Sequence, residues 1–173
     1  NNERFVLYLS AKKIQARVKQ LGRQINKEYK GRTPIFIGIL NGSFIFMADL
    51  LRHVTIDCEI DFLKLSSYGD SKISSGNVTL IKDLNCQVED RDIIIVEDIV
   101  DSGLSADFTK RLIAQHHPRS FKIISLLYKK EAIKIDVPID YIGFTIPNAF
   151  VIGYGLDYAQ KVRNLGAIYR LAD

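Results

Sequence analysis

The sequence is poor in cysteine and histidine, and these shortages exclude several classes of disulfide and metal protein. Its two cysteines, Cys58 and Cys86, form no CxxC pair and have no close histidine partner. A disulfide framework and a cysteine-rich zinc site are therefore not expected. The three histidines also lack metal-ligand spacing. Both thiols are predicted to be reduced, as in a cytoplasmic protein.

Long apolar runs and several common enzyme motifs are absent as well. No apolar stretch approaches the roughly 18 residues that a membrane span requires. The first ten residues include an acid and do not have the layout of a secretory signal peptide. GxSxG, HExxH and Walker A sequences, repeats and low-complexity tracts do not occur. We expect a cytoplasmic protein that does not associate with a membrane.

Length, composition and charge predict one globular domain over residues 1–173. This length allows a sizeable core, and 47% hydrophobic with 25% charged residues is ordinary for such a domain. The net charge of +4 suits a phosphorylated ligand. It is too small and too dispersed to indicate a nucleic-acid partner.

An apolar run followed by three acids and a small polar turn is the most informative feature. Residues 93–105 read IIIVEDIVDSGLS, and four consecutive apolar residues predict a strand buried on both faces. Glu97, Asp98 and Asp101 would then emerge at the carboxyl edge of a parallel sheet, where open α/β folds bind ligands. A helix is predicted to begin near Ala106, directly after the turn.

These residue types together predict a site for a sugar phosphate and magnesium. Backbone N–H groups at a helix start, joined by the hydroxyls of Ser102 and Ser105, would bind a phosphate. Carboxylates beside that phosphate would repel it unless a divalent cation intervened. An ordinary strand end with a polar turn would explain Ser102 and Gly103. It does not explain well why three acids follow a buried strand so closely.

Alternating strand and helix patterns predict an α/β fold, with a central, twisted parallel sheet flanked by helices. The core of the domain is expected over about residues 35–145. The segments at about 1–10 and 146–173 have shorter and weaker strand patterns. They are expected to form a small hood over the carboxyl edge of the sheet. Within the strand predicted at 56–62, apolar residues alternate with acids, so Ile60 should be buried and Asp61 solvated.

The segment from Ile93 to Ser105 resembles the PRPP-binding motif of the type I phosphoribosyltransferases. The resemblance implies that Glu97 and Asp98 lie near the ribose hydroxyls and contribute to a Mg²⁺ site. It implies that Asp101 is the general base that takes the purine's proton. The residues implied to hold the 5′-phosphate of PRPP are Ser102, Gly103, Leu104 and Ser105. Many relatives have Thr at the hydroxyl positions and some have Lys at the Leu104 position. The serines of this chain keep the hydroxyl donors and Leu104 only removes a charge, so the phosphate site is expected to be intact.

Further matches cover the chain from about Phe36 to Arg163 and narrow the resemblance to the members that use 6-oxopurines. Leu40-Asn41-Gly42-Ser43 resembles the pyrophosphate loop, which implies a cis peptide between Leu40 and Asn41. Many relatives have Lys at the Asn41 position, so this loop lacks that charge. Ser67-Tyr68 resembles the start of a mobile lid that spans about residues 66–76.

The remaining matches imply a purine site and a second part of the pyrophosphate site. Lys129 would donate to the 6-oxo group, Phe150 would stack on the base, and Val151 would meet its edge through backbone groups. Asp157, in the segment GYGLDY, would bind Mg²⁺ and lie near the purine. Arg163 would contact the pyrophosphate through its planar guanidinium.

The resemblance implies an enzyme that joins hypoxanthine or guanine to the ribose of PRPP, and that forms a homodimer or homotetramer. Which of the two purines is preferred stays open. One alternative is a nucleotide-sensing RNA- or DNA-binding regulator of the same fold, which would need a contiguous basic face. Another is a phospho-acceptor receiver domain, which is disfavoured because all three acids occupy one turn in mid-chain.

Overall fold

A six-stranded, mostly parallel sheet forms the centre of the computed structural model, which describes residues 3–67 and 78–173. The elements in chain order are β1 (Phe5–Leu9), α1 (Ala11–Glu28), β2 (Ile35–Leu40), α2 (Phe44–Leu51), β3 (Glu59–Ser67), β4 (Val78–Lys82), β5 (Asp92–Val100), α3 (Leu104–Ala114), β6 (Ser120–Tyr128), β7 (Tyr141–Thr145), β8 (Val151–Ile152) and β9 (Ile168–Leu171). The strand order is β4-β3-β2-β5-β6-β7, and only β4 pairs antiparallel to its neighbour. The α/β fold predicted from the sequence is confirmed.

The central strands are apolar throughout because both of their faces are covered. On β5, Ile94 and Val96 belong to the core cluster beneath α1 and α2, whereas Ile93 and Ile95 belong to the cluster on the opposite face, which includes residues of α3. All four side chains are fully buried. This double burial is the reason that a parallel strand reads as an unbroken apolar run.

Helix α1 forms as its sequence predicts. The Ser10 hydroxyl accepts a hydrogen bond from the Lys13 N–H at 3.1 Å, which caps the first turn. The apolar stripe at helical spacing is fully buried against the sheet and α2, and it consists of Ile14, Val18, Leu21 and Ile25. After the helix, Gly31 adopts a φ of 78° that favours glycine.

A second sheet joins the two ends of the chain. Its strand order is β1-β9-β8, and both pairings are antiparallel. Ile168 of β9 is fully buried and belongs to the same core cluster as α1 and α2. The antiparallel sheet is thereby anchored on the face of the central sheet that α1 and α2 cover.

The predicted alternation along residues 56–62 holds for most positions, since Ile56, Cys58 and Phe62 pack against the core, but it is wrong at Ile60 and Asp61. The strand begins at Glu59, Ile60 is 52% exposed, and Asp61 is 7% exposed. The carboxylate of Asp61 accepts backbone hydrogen bonds from Asn85 at 2.7 Å and Cys86 at 2.9 Å. These distant donors offset the cost of burying the charge, and no local pattern of apolar residues reveals them.

Smaller differences concern the ends of elements. The central strand, predicted over residues 93–98, runs from Asp92 to Val100 as β5. Helix α3 begins at Leu104, two residues before the predicted start. In the described ranges, none of the helices combines the length and apolarity that a membrane crossing demands.

The buried Asp61 predicts a pH-dependent contribution to stability. Burial opposes its ionisation, but hydrogen bonds from the N–H groups of Cys86, Phe62 and Asn85 outweigh that effect and lower its pKa to about 2. A carboxyl with a lowered folded-state pKa contributes stability above its unfolded pKa of about 4, and loses it as the pH falls through about 2. Asp61→Asn should therefore lower the free energy of unfolding by about 2 kcal/mol at pH 7 and by much less near pH 2.

Urea unfolding at several pH values measures this difference. Asp57→Asn is a matched control, because Asp57 is an exposed acid just before the same strand. A destabilisation by Asp61→Asn that stays constant from pH 7 to pH 2 would contradict the assignment.

Candidate active site

The carboxyl edge of the central sheet carries a cavity of about 310 Å³. It lies where β2 and β5 end, so the loop after β2 faces the turn after β5. Its lining residues are Ile39, Leu40, Gly42, Leu65, Glu97, Asp98, Ile99, Val100, Asp101, Ser102, Gly103, Ser105 and Ala106. Most of the predicted ribose-phosphate residues therefore meet in one place.

Glu97 and Asp98 place two acids in surroundings that disfavour charge. Glu97 is 4% exposed, and its Oε1 has no hydrogen-bond partner among the described residues. Burial raises the pKa of Glu97 well above its usual range, and the adjacent Asp98 carboxylate raises it further. Burial likewise raises the pKa of Asp98 to about 6, with Arg163 lowering it and Asp157 raising it. A bound cation or hydroxyl donors would stabilise the charged form of such a pair.

Asp101 follows β5 and is paired with Lys129, which follows β6. The Lys129 ammonium lies 3.2 Å from Oδ2 of Asp101, and the backbone N–H of Lys129 donates to the Val100 carbonyl at 3.0 Å. Lys129 is only 7% exposed, whereas the side chain of Asp101 is 53% exposed. Asp101 is thus accessible from the cavity while its partner is fixed by neighbouring strands.

The turn between β5 and α3 presents the start of a helix to the cavity. Gly103 has a φ of 86°, and a side chain there would lie 2.3 Å from the Ile135 carbonyl oxygen, so only glycine fits. The Ser102 carbonyl accepts hydrogen bonds from the N–H groups of Lys134 and Ile135, and these two bonds hold the turn in place. Ser105 is exposed on the first turn of α3. N–H groups at such a helix start bind anions readily.

The loop after β2 approaches the acids of β5 closely. The peptide between Leu40 and Asn41 is cis, as the resemblance predicted. A side chain on Gly42 would lie 1.8 Å from Oδ2 of Asp98, so the loop backbone rests directly against this carboxylate. Asn41 is exposed, whereas Ser43 is fully buried.

The segment that carries Asp157 and Arg163 packs on the same loop. Gly155 has a φ of 96°, and a side chain there would lie 2.1 Å from the Gly42 carbonyl oxygen. Arg163 donates to the Gly155 carbonyl at 2.7 Å and lies 3.4 Å from Oδ1 of Asp157. Asp157 and Arg163 therefore form an ion pair, and neither residue is among those that line the cavity.

The predicted purine residues Phe150 and Val151 lie at the start of β8 in the antiparallel sheet, outside the cavity lining. Phe150 is 48% exposed, and its ring centroid lies 6.1 Å from those of Phe5 and Tyr158. Val151 is buried in β8. The Phe150 ring is thus exposed and held by two other aromatic rings, an arrangement that suits stacking on a planar ligand.

Two predictions have no test in the described structure. Ser67 is the last residue of β3, but Tyr68 and the rest of the predicted lid, up to residue 76, lie outside the described residues. Within residues 3–67 and 78–173, no group of three His, Cys, Asp or Glu side chains is spaced to hold a metal ion. The set of Glu97, Asp98 and Asp157 as Mg²⁺ ligands stays a prediction.

The sequence patterns gave no role to two residues that support this site. Tyr154 is 2% exposed and donates a hydrogen bond from its hydroxyl to Oδ2 of Asp49 on α2 at 2.5 Å. In the sequence, Tyr154 stands between Gly153 and Gly155, and this pattern indicates an unusual backbone conformation. The separation of 105 residues from Asp49 hides the contact from any sequence pattern.

Known proteins of similar sequence and structure agree with this geometry. A model of the phosphoribosyl transferase domain matches residues 8–159. The hypoxanthine-guanine phosphoribosyltransferase of Bacillus subtilis is 48% identical over 157 residues, which cover 91% of this chain and 87% of that protein. The hypoxanthine phosphoribosyltransferase of Escherichia coli K12 is 44% identical over 154 residues, covering 88% and 86%.

A solved structure extends the likeness to the backbone. The crystal structure of a hypoxanthine-guanine phosphoribosyltransferase from Bacillus anthracis, with a HEPES molecule in its active site, matches with a TM-score of 0.91 at 41% identity. The match covers 96% of this chain and 98% of that one. This chain therefore belongs to the phosphoribosyltransferase family and, within it, to the hypoxanthine(-guanine) phosphoribosyltransferases.

Proposed function

We propose that the protein is a purine-salvage pentosyltransferase that moves the 5-phosphoribosyl group of PRPP to hypoxanthine, guanine or both. A carbon–nitrogen bond forms between the purine and the anomeric carbon, and the bond to pyrophosphate breaks. The products are IMP or GMP and pyrophosphate. The observation that carries the proposal is the meeting of Glu97, Asp98 and Asp101 with Ser102, Gly103 and Ser105 in one cavity.

In this mechanism Asp101 is the general base. The purine loses a proton as its nitrogen bonds to the sugar, and Asp101 accepts that proton near N7. The transition state resembles an oxocarbenium ion, so nearby carboxylates also stabilise its positive charge. Lys129, now 3.2 Å from Asp101, would donate to the 6-oxo group of the bound purine.

The phosphates would be held by backbone groups more than by basic side chains. The turn with Ser102, Gly103, Leu104 and Ser105 would bind the 5′-phosphate through N–H and hydroxyl donors. Leu40, Asn41 and Gly42 would bind the pyrophosphate together with Arg163. The cavity lining contains three carboxylates but no Lys or Arg among the described residues, so a cation is needed to offset the charge of PRPP.

Magnesium fits the donors that are present. Glu97 and Asp98 supply carboxylate oxygens, which Mg²⁺ prefers, and Oε1 of Glu97 has no protein partner within the described part of the chain. Asp157 would contribute a further carboxylate. The ion would neutralise the pyrophosphate leaving group, while Glu97 and Asp98 would also orient the ribose hydroxyls.

The purine would lie between the exposed Phe150 ring and the Lys129 ammonium, with Val151 meeting its edge through backbone groups. Stacking on Phe150 does not distinguish one purine from another. A 6-oxo group accepts a hydrogen bond from Lys129, whereas the 6-amino group of adenine is itself a donor and meets the ammonium donor-to-donor. Adenine should therefore be a poor substrate.

A spectrophotometric assay of hypoxanthine, guanine, xanthine and adenine, each with PRPP and Mg²⁺, tests the proposal. We expect turnover with hypoxanthine or guanine and at least about 100-fold lower kcat/KM with adenine. No turnover with any of the four purines would contradict the proposed function. RNA filter binding in parallel would detect the regulatory alternative, which no feature of this structure favours.

We further propose that the whole chain acts as one domain in the cytoplasm, with residues 35–145 as core and the two ends as hood, and that it forms a homodimer or homotetramer. Both cysteines are free, which suits a reducing compartment. Large apolar side chains are exposed at Phe44, Ile60 and Ile81. Light scattering coupled to gel filtration measures the oligomeric state.

A further inference from the structure

The hydroxyl of Tyr154 joins the segment that carries Asp157 and Arg163 to helix α2. It donates to Oδ2 of Asp49 at 2.5 Å, and the Gln15 amide of α1 donates to the same carboxylate oxygen at 3.0 Å. Tyr154 is 2% exposed, and its φ of 51° places it among the few non-glycine residues with positive φ. A buried hydroxyl that donates to a carboxylate is one of the stronger neutral-to-charged contacts.

The backbone on both sides of Tyr154 is also fixed. The N–H of Tyr154 donates to the Leu165 carbonyl at 2.9 Å, and the N–H of Gly155 donates to the Arg163 carbonyl at 2.8 Å. Arg163 in turn donates from its guanidinium to the Gly155 carbonyl. Tyr154 therefore anchors a small, closed arrangement that includes the arginine.

This arrangement meets the loop after β2 without any side chain between them. An added Cβ on Gly155 would lie 2.1 Å from the Gly42 carbonyl oxygen, and an added Cβ on Gly42 would lie 1.8 Å from Asp98. Asp49 belongs to α2, the helix that this loop opens. A change in the distance between Tyr154 and Asp49 would therefore change how Gly155 rests on Gly42.

We infer that Tyr154 and Asp49 are positioning residues for the pyrophosphate end of PRPP. Their hydrogen bond holds Gly155 against Gly42, and so fixes Arg163 relative to the loop 41–43. The purine residues Lys129 and Phe150 take no part in this set of contacts. The inference rests on the proposed function, and it predicts a selective effect on PRPP.

The central test is Tyr154→Phe, which removes the hydroxyl and keeps the ring. We expect KM for PRPP, and the Kd for pyrophosphate with Mg²⁺ measured by calorimetry, to rise about tenfold or more. We expect KM for hypoxanthine to change by less than about twofold, because the purine contacts lie elsewhere.

Tyr141→Phe is the matched control. Tyr141 is 4% exposed and its hydroxyl donates to the Glu28 carboxylate of α1, near the opposite edge of the sheet. Both variants lose a hydrogen bond from a buried tyrosine to a carboxylate, so both melting temperatures should fall. Only Tyr154→Phe should weaken pyrophosphate binding. An equal effect of the two variants on KM for PRPP would overturn the inference.

Asp49 provides a second route to the same question. Asp49→Asn keeps an acceptor for the Tyr154 hydroxyl and should be milder than Asp49→Ala. The double variant Asp49→Ala/Tyr154→Phe should raise KM for PRPP no more than either single change, because both remove one bond. Additive effects, or an equal rise in KM for hypoxanthine, would overturn the inference. Should Tyr154→Phe fail to fold, the comparison of the two Asp49 variants still decides it.

The proposed function and this inference fail in distinguishable ways. Absence of turnover by the unmodified protein would refute the former. Normal turnover by the unmodified protein, with unchanged pyrophosphate binding in Tyr154→Phe, would refute only the latter.

Discussion

Asp101→Asn should lower kcat for hypoxanthine by about 10²–10⁴-fold, the range that loss of a general base produces. Asparagine has nearly the same shape, and its amide oxygen still accepts a hydrogen bond from Lys129, which lies 3.2 Å from the native carboxylate. The variant therefore loses the proton acceptor and little else. Binding of IMP, measured by calorimetry, should largely survive.

Asp107→Asn is the matched control for this change. Asp107 lies on the first turn of α3, outside the cavity lining, and accepts a hydrogen bond from Arg111 at 3.0 Å. Surface pairs of this kind contribute little, so kcat should change by less than about twofold. Equal kcat values for Asp101→Asn and the unmodified protein would remove Asp101 from the role of base.

Gly42→Ala should lower kcat/KM for PRPP by about 100-fold, the cost of displacing a reacting group by about 1 Å. The new methyl would lie 1.8 Å from Oδ2 of Asp98, so either this carboxylate or the loop must move. The Asp98 carboxylate accepts a hydrogen bond from the Ile99 N–H at 2.9 Å, and turning it away would break that bond. Both responses disturb the site, although the fold outside it is untouched.

Gly166→Ala is the control for adding a methyl group. A Cβ at Gly166 would meet only Ala11 at 3.9 Å, an ordinary contact. Activity and melting temperature should stay close to those of the unmodified protein. If Gly42→Ala retained full kcat/KM for PRPP, the loop 41–43 would have no close role in binding.

The parts of the fold and site that the sequence predicted are those encoded locally. Strand β5 reads as buried because its residues are apolar on both faces, and the turn after it contains the glycine and serines that it requires. The helix α1 has a cap and a stripe within one segment. The cavity at the end of β5 could be located in this way, because parallel strands bring their carboxyl ends to one edge.

The parts that were missed depend on contacts between distant residues. Asp61 is buried because Asn85 and Cys86 supply donors, and Ile60 is exposed as a consequence of the same register. The support of the site by Tyr154 and Asp49 likewise joins two segments far apart in the chain. Periodicity reports which side chains are apolar, but it does not report which polar groups will find partners.

The central claim is that the cavity at the carboxyl end of β5 binds a metal-loaded ribose phosphate. A crystal structure of the protein with PRPP and Mg²⁺ tests it most directly. We expect the 5′-phosphate on the N–H groups of residues 102–105 and the ribose hydroxyls at Glu97 and Asp98. PRPP bound instead in the cleft at the opposite edge of the sheet, which Arg32, Arg91 and Arg119 line, would contradict it.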